Sequence, residues 1–145
     1  MSTEWEIERS RNGIRIRGKM DIIVDPKAVP EDALDVEFVV LTSRSAMNEK
    51  VIEELLETSK APLLAPFAVR RRLAKKYQVD VVEGIKGVSE DVWVLAKDGH
   101  MAVFLYTEEG PLVVAGEMPE ELINQASDFV YGTKPLKIYR NKKVG

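Results

Sequence analysis

The stretch Val36-Glu37-Phe38-Val39-Val40-Leu41-Thr42-Ser43-Arg44-Ser45-Ala46-Met47-Asn48 decides how the chain is read. Its first six residues are apolar apart from Glu37, the pattern of a strand covered on both faces. The strand ends in small polar residues that feed into a helix. There Val51, Ile52, Leu55 and Leu56 share one helical stripe, while Glu49, Glu53, Glu54 and Glu57 fall elsewhere. Strand, short polar turn and amphipathic helix make the opening of a strand-helix-strand unit, which builds parallel sheets.

Working outward, residues 62–65 read as the next strand. Pro66 suits the first turn of a second helix, with Val69, Leu73 and Tyr77 at four-residue spacing on its buried side. Residues 79–82 close the unit, with right-handed crossovers expected. Upstream, Trp5, Ile7, Ile14 and Ile16 alternate with charged residues around an Asn12-Gly13 turn, which predicts a hairpin. That turn sets Glu8 opposite Arg17 and Glu6 opposite Lys19, each pair worth about 0.2–1 kcal/mol. Residues 20–24 form a third strand that stops at Asp25-Pro26.

Beyond Gly87 the pattern is a meander, with strands at 92–96, 101–106 and 112–115 and turns at Asp98-Gly99 and Glu109-Gly110. These strands are apolar on both faces, so both must be covered. Helices serve one side, and more helix, another sheet or a second subunit the other. A last helix starts near Pro119, turns Leu122, Ala126, Phe129 and Val130 inward, and stops at Gly132. Residues 135–140 read as a final strand.

At 145 residues the chain is long enough for one domain, 1–145, burying roughly 68–70% of its unfolded surface. With 45% apolar and 31% charged residues it has the composition of a soluble globular protein. No apolar run reaches the roughly 18 residues of a membrane span, and the N-terminus is unlike a signal peptide, so a cytoplasmic location is expected. The absence of cysteine excludes disulfides, thiolate nucleophiles and iron–sulfur clusters, and a single histidine excludes a multi-histidine metal site. Two glutamines and four asparagines beside abundant Glu, Lys and Arg point to a thermophilic source. A net charge of −3 gives no general drive toward nucleic acid or membrane.

Segment 18–84 resembles the N-terminal half of a metallo-β-lactamase-like domain. The resemblance is carried by Ile22-Ile23-Val24-Asp25-Pro26, by Phe38-Val39-Val40-Leu41-Thr42 and by Ala61-Pro62-Leu63-Leu64-Ala65-Pro66, followed by a helix and residues 79–84 in the family's order. Residues 112–117, ending in Gly116-Glu117, are similar to the strand that ends at a bridging metal ligand. The resemblance implies an α/β fold, a mixed β-sheet with helices packed on it in a half-sandwich topology. In the family the loop reads Thr-His-x-His-x-Asp-His and holds two zinc ions; here its ligand positions carry Ser43, Ser45, Met47 and Asn48. Hydroxyls, an amide and a thioether bind zinc poorly, so the resemblance implies a degenerate site with no metal and no cofactor.

Other constellations follow. Ser43, Arg44, Ser45 and Asn48 beside a helix start could hold a small anion or nucleotide, although Ser45 or Asn48 reads first as a helix cap. Asp25 and Glu117 meet at strand ends in a family-like fold. Arg70, Arg71, Arg72, Lys75 and Lys76, with the tail cations Lys134, Lys137, Arg140, Lys142 and Lys143, could grip a nucleic-acid backbone. Neutralisation of that helix by the four glutamates of the preceding one is the simpler account, so nucleic acid is not the expected partner. His100, after the Asp98-Gly99 turn, reads as an exposed strand start. Trp93 and Phe104, near-opposite in the meander, are the expected interface. The function expected from all this is non-catalytic: self-association as a homodimer or binding of a protein partner. A hydrolase or small-anion protein using loop 43–48 and a nucleic-acid module are the alternatives.

Overall fold

The structure is a computed structural model that describes residues 5–140. Two sheets pack face to face. The first takes β1 (Glu6–Ser10), β2 (Gly13–Arg17), β3 (Asp21–Val24), β4 (Phe38–Val40), β5 (Leu63–Ala65) and β6 (Val79–Val81) in that order. Pairing is antiparallel from β1 to β3 and parallel from β3 to β6, with α1 (Glu49–Ser59) and α2 (Arg71–Lys76) in the connections. The second sheet holds β7 (Gly84–Gly87), β8 (Val92–Lys97), β9 (His100–Leu105), β10 (Leu112–Ala115) and β11 (Lys137–Arg140), in the order β11-β10-β9-β8-β7. Helix α3 (Glu120–Tyr131) lies between β10 and its parallel neighbour β11. No helix of the described residues is long and apolar enough to cross a membrane.

Side-chain alternation explains the layering. On β4, Val40 points between the sheets while Val39 and Leu41 point out beneath Ile52, Leu55 and Leu56 of α1. On β9, Met101, Val103 and Leu105 point between the sheets while Ala102 and Phe104 meet Ile123 and Ala126 of α3. Both faces of each central strand are therefore covered, which accounts for their unbroken apolar runs. The expected half-sandwich is joined by a second sheet from the same chain.

This arrangement corrects the interface assignment of Trp93 and Phe104. Phe104 is buried and stacks on Tyr131 of α3 at a centroid distance of 6.3 Å. Trp93 packs in the same cluster, with its indole lying over Gly87, its register partner on β7. The doubly apolar meander is covered by the chain's own first sheet and helix, so it requires no second subunit. Strand β7 itself escaped the sequence reading because Gly-Ile-Lys-Gly has almost no side-chain pattern to read.

Three further differences have physical causes. The hairpin turns at Arg11-Asn12, so Glu8 faces Arg15 and Glu6 faces Arg17. A two-residue slip leaves a period-two pattern of charge and hydrophobicity unchanged, and only contacts beyond the hairpin distinguish the two registers. Helix α2 begins at Arg71, five residues after Pro66, because Phe67 turns into the core under α1 and the Arg44 guanidinium lies 4.5 Å over its ring. Helix α3 is rotated from the expected face: Ile123, Ala126 and Ser127 are buried, while Phe129 is 81% exposed. Ser127 can face inward because its hydroxyl donates to the Thr133 carbonyl.

Gly13 shows what fixes the hairpin. Its φ is +114°, and a β-carbon there would lie 2.8 Å from the carbonyl oxygens of both Val24 and Asp25. Gly13→Ala should therefore destabilise the fold by roughly 2–4 kcal/mol, from positive-φ strain plus a clash with backbone. Gly84→Ala, also at positive φ but in open space, should lose only about 1 kcal/mol or so. Denaturant titration of the two variants checks this ordering.

Candidate functional site

Strands β3 and β4 run parallel, so their carboxyl ends lie together, and β10 of the facing sheet ends beside them. Asp25 follows β3 in the left-handed region, with φ 49°. Its buried carboxylate accepts the Thr42 backbone N–H at 2.7 Å and the Thr42 hydroxyl at 2.5 Å. The Thr42 carbonyl in turn accepts the Met101 N–H from the other sheet at 2.8 Å. Gly116 approaches so closely that a β-carbon on it would stand 2.3 Å from Thr42 Oγ1. Thr42 thus sits at the junction of β3, β4, β9 and β10.

Above this junction is a cleft of about 260 Å³ lined by Lys27, Ser43, Ser45 and Glu117, among others. The hydroxyls of Ser43 and Ser45 bond each other at 3.0 Å. The loop does not run straight into α1 but first makes a 3-10 turn at Arg44–Ala46. That spacer moves Asn48 away from the cleft, where its side chain caps α1 by accepting the Val51 N–H at 3.3 Å. Arg44 is held over Phe67, and Met47 packs against the α1 cluster. Of the six residues singled out as ligand-binding, the structure gathers Asp25, Ser43, Ser45 and Glu117 around Thr42 and directs Arg44 and Asn48 elsewhere. Lys27, absent from the sequence reading, joins them because the loop after Pro26 folds back to give its N–H to the Asn12 carbonyl.

Zinc, which the fold family implies, does not fit this donor set. Ser43 and Ser45 offer neutral hydroxyls beside the one lining carboxylate, Glu117, and the fold brings no three His, Asp or Glu residues together for a metal among the described residues. Burial lifts the Asp25 carboxyl from 3.8 to about 6, with the two Thr42 bonds and Lys27 drawing it back only in part. Asp25 is therefore a structural acceptor at the base of the cleft, its oxygens already engaged.

The cationic helix is largely neutralised. Arg72 binds Glu49 and Glu53, Arg70 lies 3.4 Å from Glu49, and Lys76 lies 3.6 Å from Glu57. Arg71 and Lys75 have no ion pair among the described residues. In the tail, Arg140 donates to the carbonyls of Gly116 at 2.7 Å and Met118 at 2.9 Å, so it braces the strand end at the cleft. Lys142 and Lys143 lie outside the described residues. His100 departs from the exposed reading: its Nδ1 is buried and without a hydrogen-bond partner among the described residues.

No protein-family profile matches the chain, and no curated protein matches it in sequence. Solved structures do match. A metallo-β-lactamase from Cronobacter sakazakii (Enterobacter sakazakii), a mutant of its HARLDQ motif, superposes with TM-score 0.59 at 11% identity, over 94% of this chain and 76% of that one. The Cronobacter sakazakii metallo-β-lactamase with the HARLDQ motif gives 0.47 at 12%, over 88% and 58%. The Rm3 metallo-β-lactamase gives 0.43 at 14%, over 80% and 56%. The first of these, with the two-sheet architecture, shows that the chain has a metallo-β-lactamase-like α/β fold.

The Asp25 shift has a defined sign. A carboxyl whose folded value is raised favours folding when protonated, so its contribution is whole below about pH 4 and is lost as pH rises through about 6. The loss amounts to roughly 2–3 kcal/mol. Asp25→Asn keeps an oxygen for the Thr42 N–H and cannot titrate. The stability difference between wild type and Asp25→Asn, measured by denaturant at several pH values, should move against the wild type between about pH 4 and 6.5. Parallel profiles would show that Asp25 titrates in the ordinary range.

Proposed function

We propose that this chain is a metal-independent, non-catalytic binding protein of the cytoplasm, whose fold retains the metal loop of metallo-β-lactamase-like domains as structure alone. The observation that carries the reading is the chemistry of that loop. Ser43 and Ser45 bond each other, Asn48 caps a helix and Met47, half-buried, packs against the α1 cluster. None offers the imidazole or carboxylate lone pairs that hold zinc, and among the described residues the hydrogen bond of each serine hydroxyl goes to the other rather than to a base that would make it a nucleophile.

Its mode of action in this reading is self-association through the open sheet edges. Strands β6 and β7 each form one edge of their sheets, opposite the edges at β1 and β11, with no strand paired beyond them among the described residues, and they carry Val81 at 56% and Ile85 at 39% exposure. A second copy running antiparallel along β7 about Ile85 would place the two Ile85 side chains opposite one another. Four residues and an exposed Lys86 keep such pairing weak and dependent on concentration. A second reading, binding of a small anion in the cleft, draws support from Lys27 beside the two serine hydroxyls. The nucleic-acid reading draws less, since three of the five helix cations already have carboxylate partners.

Two measurements test the proposal. Equilibrium dialysis against zinc, followed by elemental analysis, should leave well under one ion per chain, and stoichiometric zinc would overturn metal independence. Light scattering over a wide concentration range should show mass rising from one chain toward two, with Ile85→Lys returning it to one at unchanged melting temperature. A wild type that stays at one chain throughout removes self-association.

A further inference from the structure

A larger cleft than the one at Ser43 lies at the other end of the sandwich, and its chemistry selects a ligand. Strand β2 runs antiparallel to β3, so Arg17 pairs with Asp21 at the end far from Val24 and the Asp25 junction. There, Trp5, Leu112 and Leu136 make the apolar walls of a cleft of about 680 Å³, with Glu6, Glu109 and Arg17 at its polar margin. That volume falls within the range of about 300–1,000 Å³ typical of small-molecule sites.

The walls are held in place. The indole N–H of Trp5 donates to the Tyr106 carbonyl at 2.8 Å, which fixes the plane of the ring. The turn that carries Glu109 is closed by the Gly110 N–H donating to the Thr107 carbonyl at 3.1 Å and by the Thr107 hydroxyl bonding the Gly110 carbonyl. Leu136 lies against Gly110, where a β-carbon would stand 3.3 Å from its Cγ, yet it remains 52% exposed.

The charges are unequal in availability. Arg17 gives its guanidinium to Asp32 at 2.9 Å. Glu6 stands opposite Arg17 in the hairpin register, yet with that guanidinium turned to Asp32 neither Glu6 nor Glu109 has an ion pair or hydrogen bond among the described residues. The cleft therefore presents an aromatic and aliphatic surface bordered by two unengaged carboxylates, with its one cation drawn away. A small organic anion would be repelled and a neutral apolar molecule would leave the carboxylates unused.

We infer that this cleft is a binding site for a small amphipathic amine, its apolar body against Trp5, Leu112 and Leu136 and its ammonium between Glu6 and Glu109. This site stands apart from the loop at Ser43 and does not depend on how that loop is read.

The test is an NMR titration of the full chain with three probes of similar shape: phenethylamine, phenethyl alcohol and phenylacetate. Phenethylamine should shift the Trp5 indole and Gly18 amide signals, and the alcohol and the acid should bind at least about five-fold more weakly, as exposed carboxylates allow. Glu6→Gln combined with Glu109→Gln should weaken the amine by a similar factor while leaving the alcohol unchanged. Both positions are on the surface, and Glu109→Gln alone should give part of the loss if the double variant is poorly behaved. Absence of shifts at Trp5 and Gly18, equal binding of all three probes, or undiminished amine binding by the variants would each overturn the assignment.

Discussion

The carboxylate of Asp25 accepts both the backbone N–H and the hydroxyl of Thr42, and the Thr42 carbonyl accepts the Met101 N–H from the facing sheet. One residue thereby joins the ends of β3 and β4 to the start of β9. Burial of a carboxylate is unfavourable, and Asp25 also sits at positive φ, a conformation that costs about 1–3 kcal/mol in a non-glycine residue. It persists because each oxygen has a donor and because Gly116 leaves room for the Thr42 side chain that supplies one of them. The position and direction of the loop that follows, from Ser43 to Asn48, descend from this junction.

Much of the fold was legible in the sequence because its signals are local. Unbroken apolar runs gave β4, β8, β9 and β10 as doubly covered strands, and the stripe of Ile52, Leu55 and Leu56 gave α1 and its buried face. What was not legible depends on contacts between distant segments. The hairpin register turns on Gly13 meeting the end of β3, the start of α2 on Phe67 finding a place under α1, and the inward face of α3 on Ser127 finding the Thr133 carbonyl. The second sheet's role as cover for the first could not be told from cover by a second subunit. Apolar pattern reports that a face is buried, not by what.

The candidate site was legible in part for the same reason. Asp25, Ser43, Ser45 and Glu117 converge because strand ends converge in this topology, and the strands could be read. Asn48 and Arg44 leave the cleft because a 3-10 turn intervenes, which no periodicity announces. Lys27 enters it through a loop bond to Asn12. The charged surface followed the simplest electrostatic expectation: Arg70, which precedes α2, and Arg72 and Lys76 within it find Glu49, Glu53 and Glu57 of α1, so much of the cationic character of that segment is offset in three dimensions. A metallo-β-lactamase-like fold is thus held together at the ends of β3 and β4 by hydrogen bonds within the chain, while a larger cleft lies at the opposite end.

The central claim is that the junction at Thr42 is held by Asp25 and by the facing sheet rather than by a bound ion. Amide hydrogen exchange at Thr42 and Met101, followed residue by residue with and without a chelator, tests it most directly. The account predicts that both amides exchange only through global unfolding, with protection equal to the free energy of unfolding and unchanged by chelation. Exchange of either amide through local opening, or protection that collapses when the chelator is added, would contradict it.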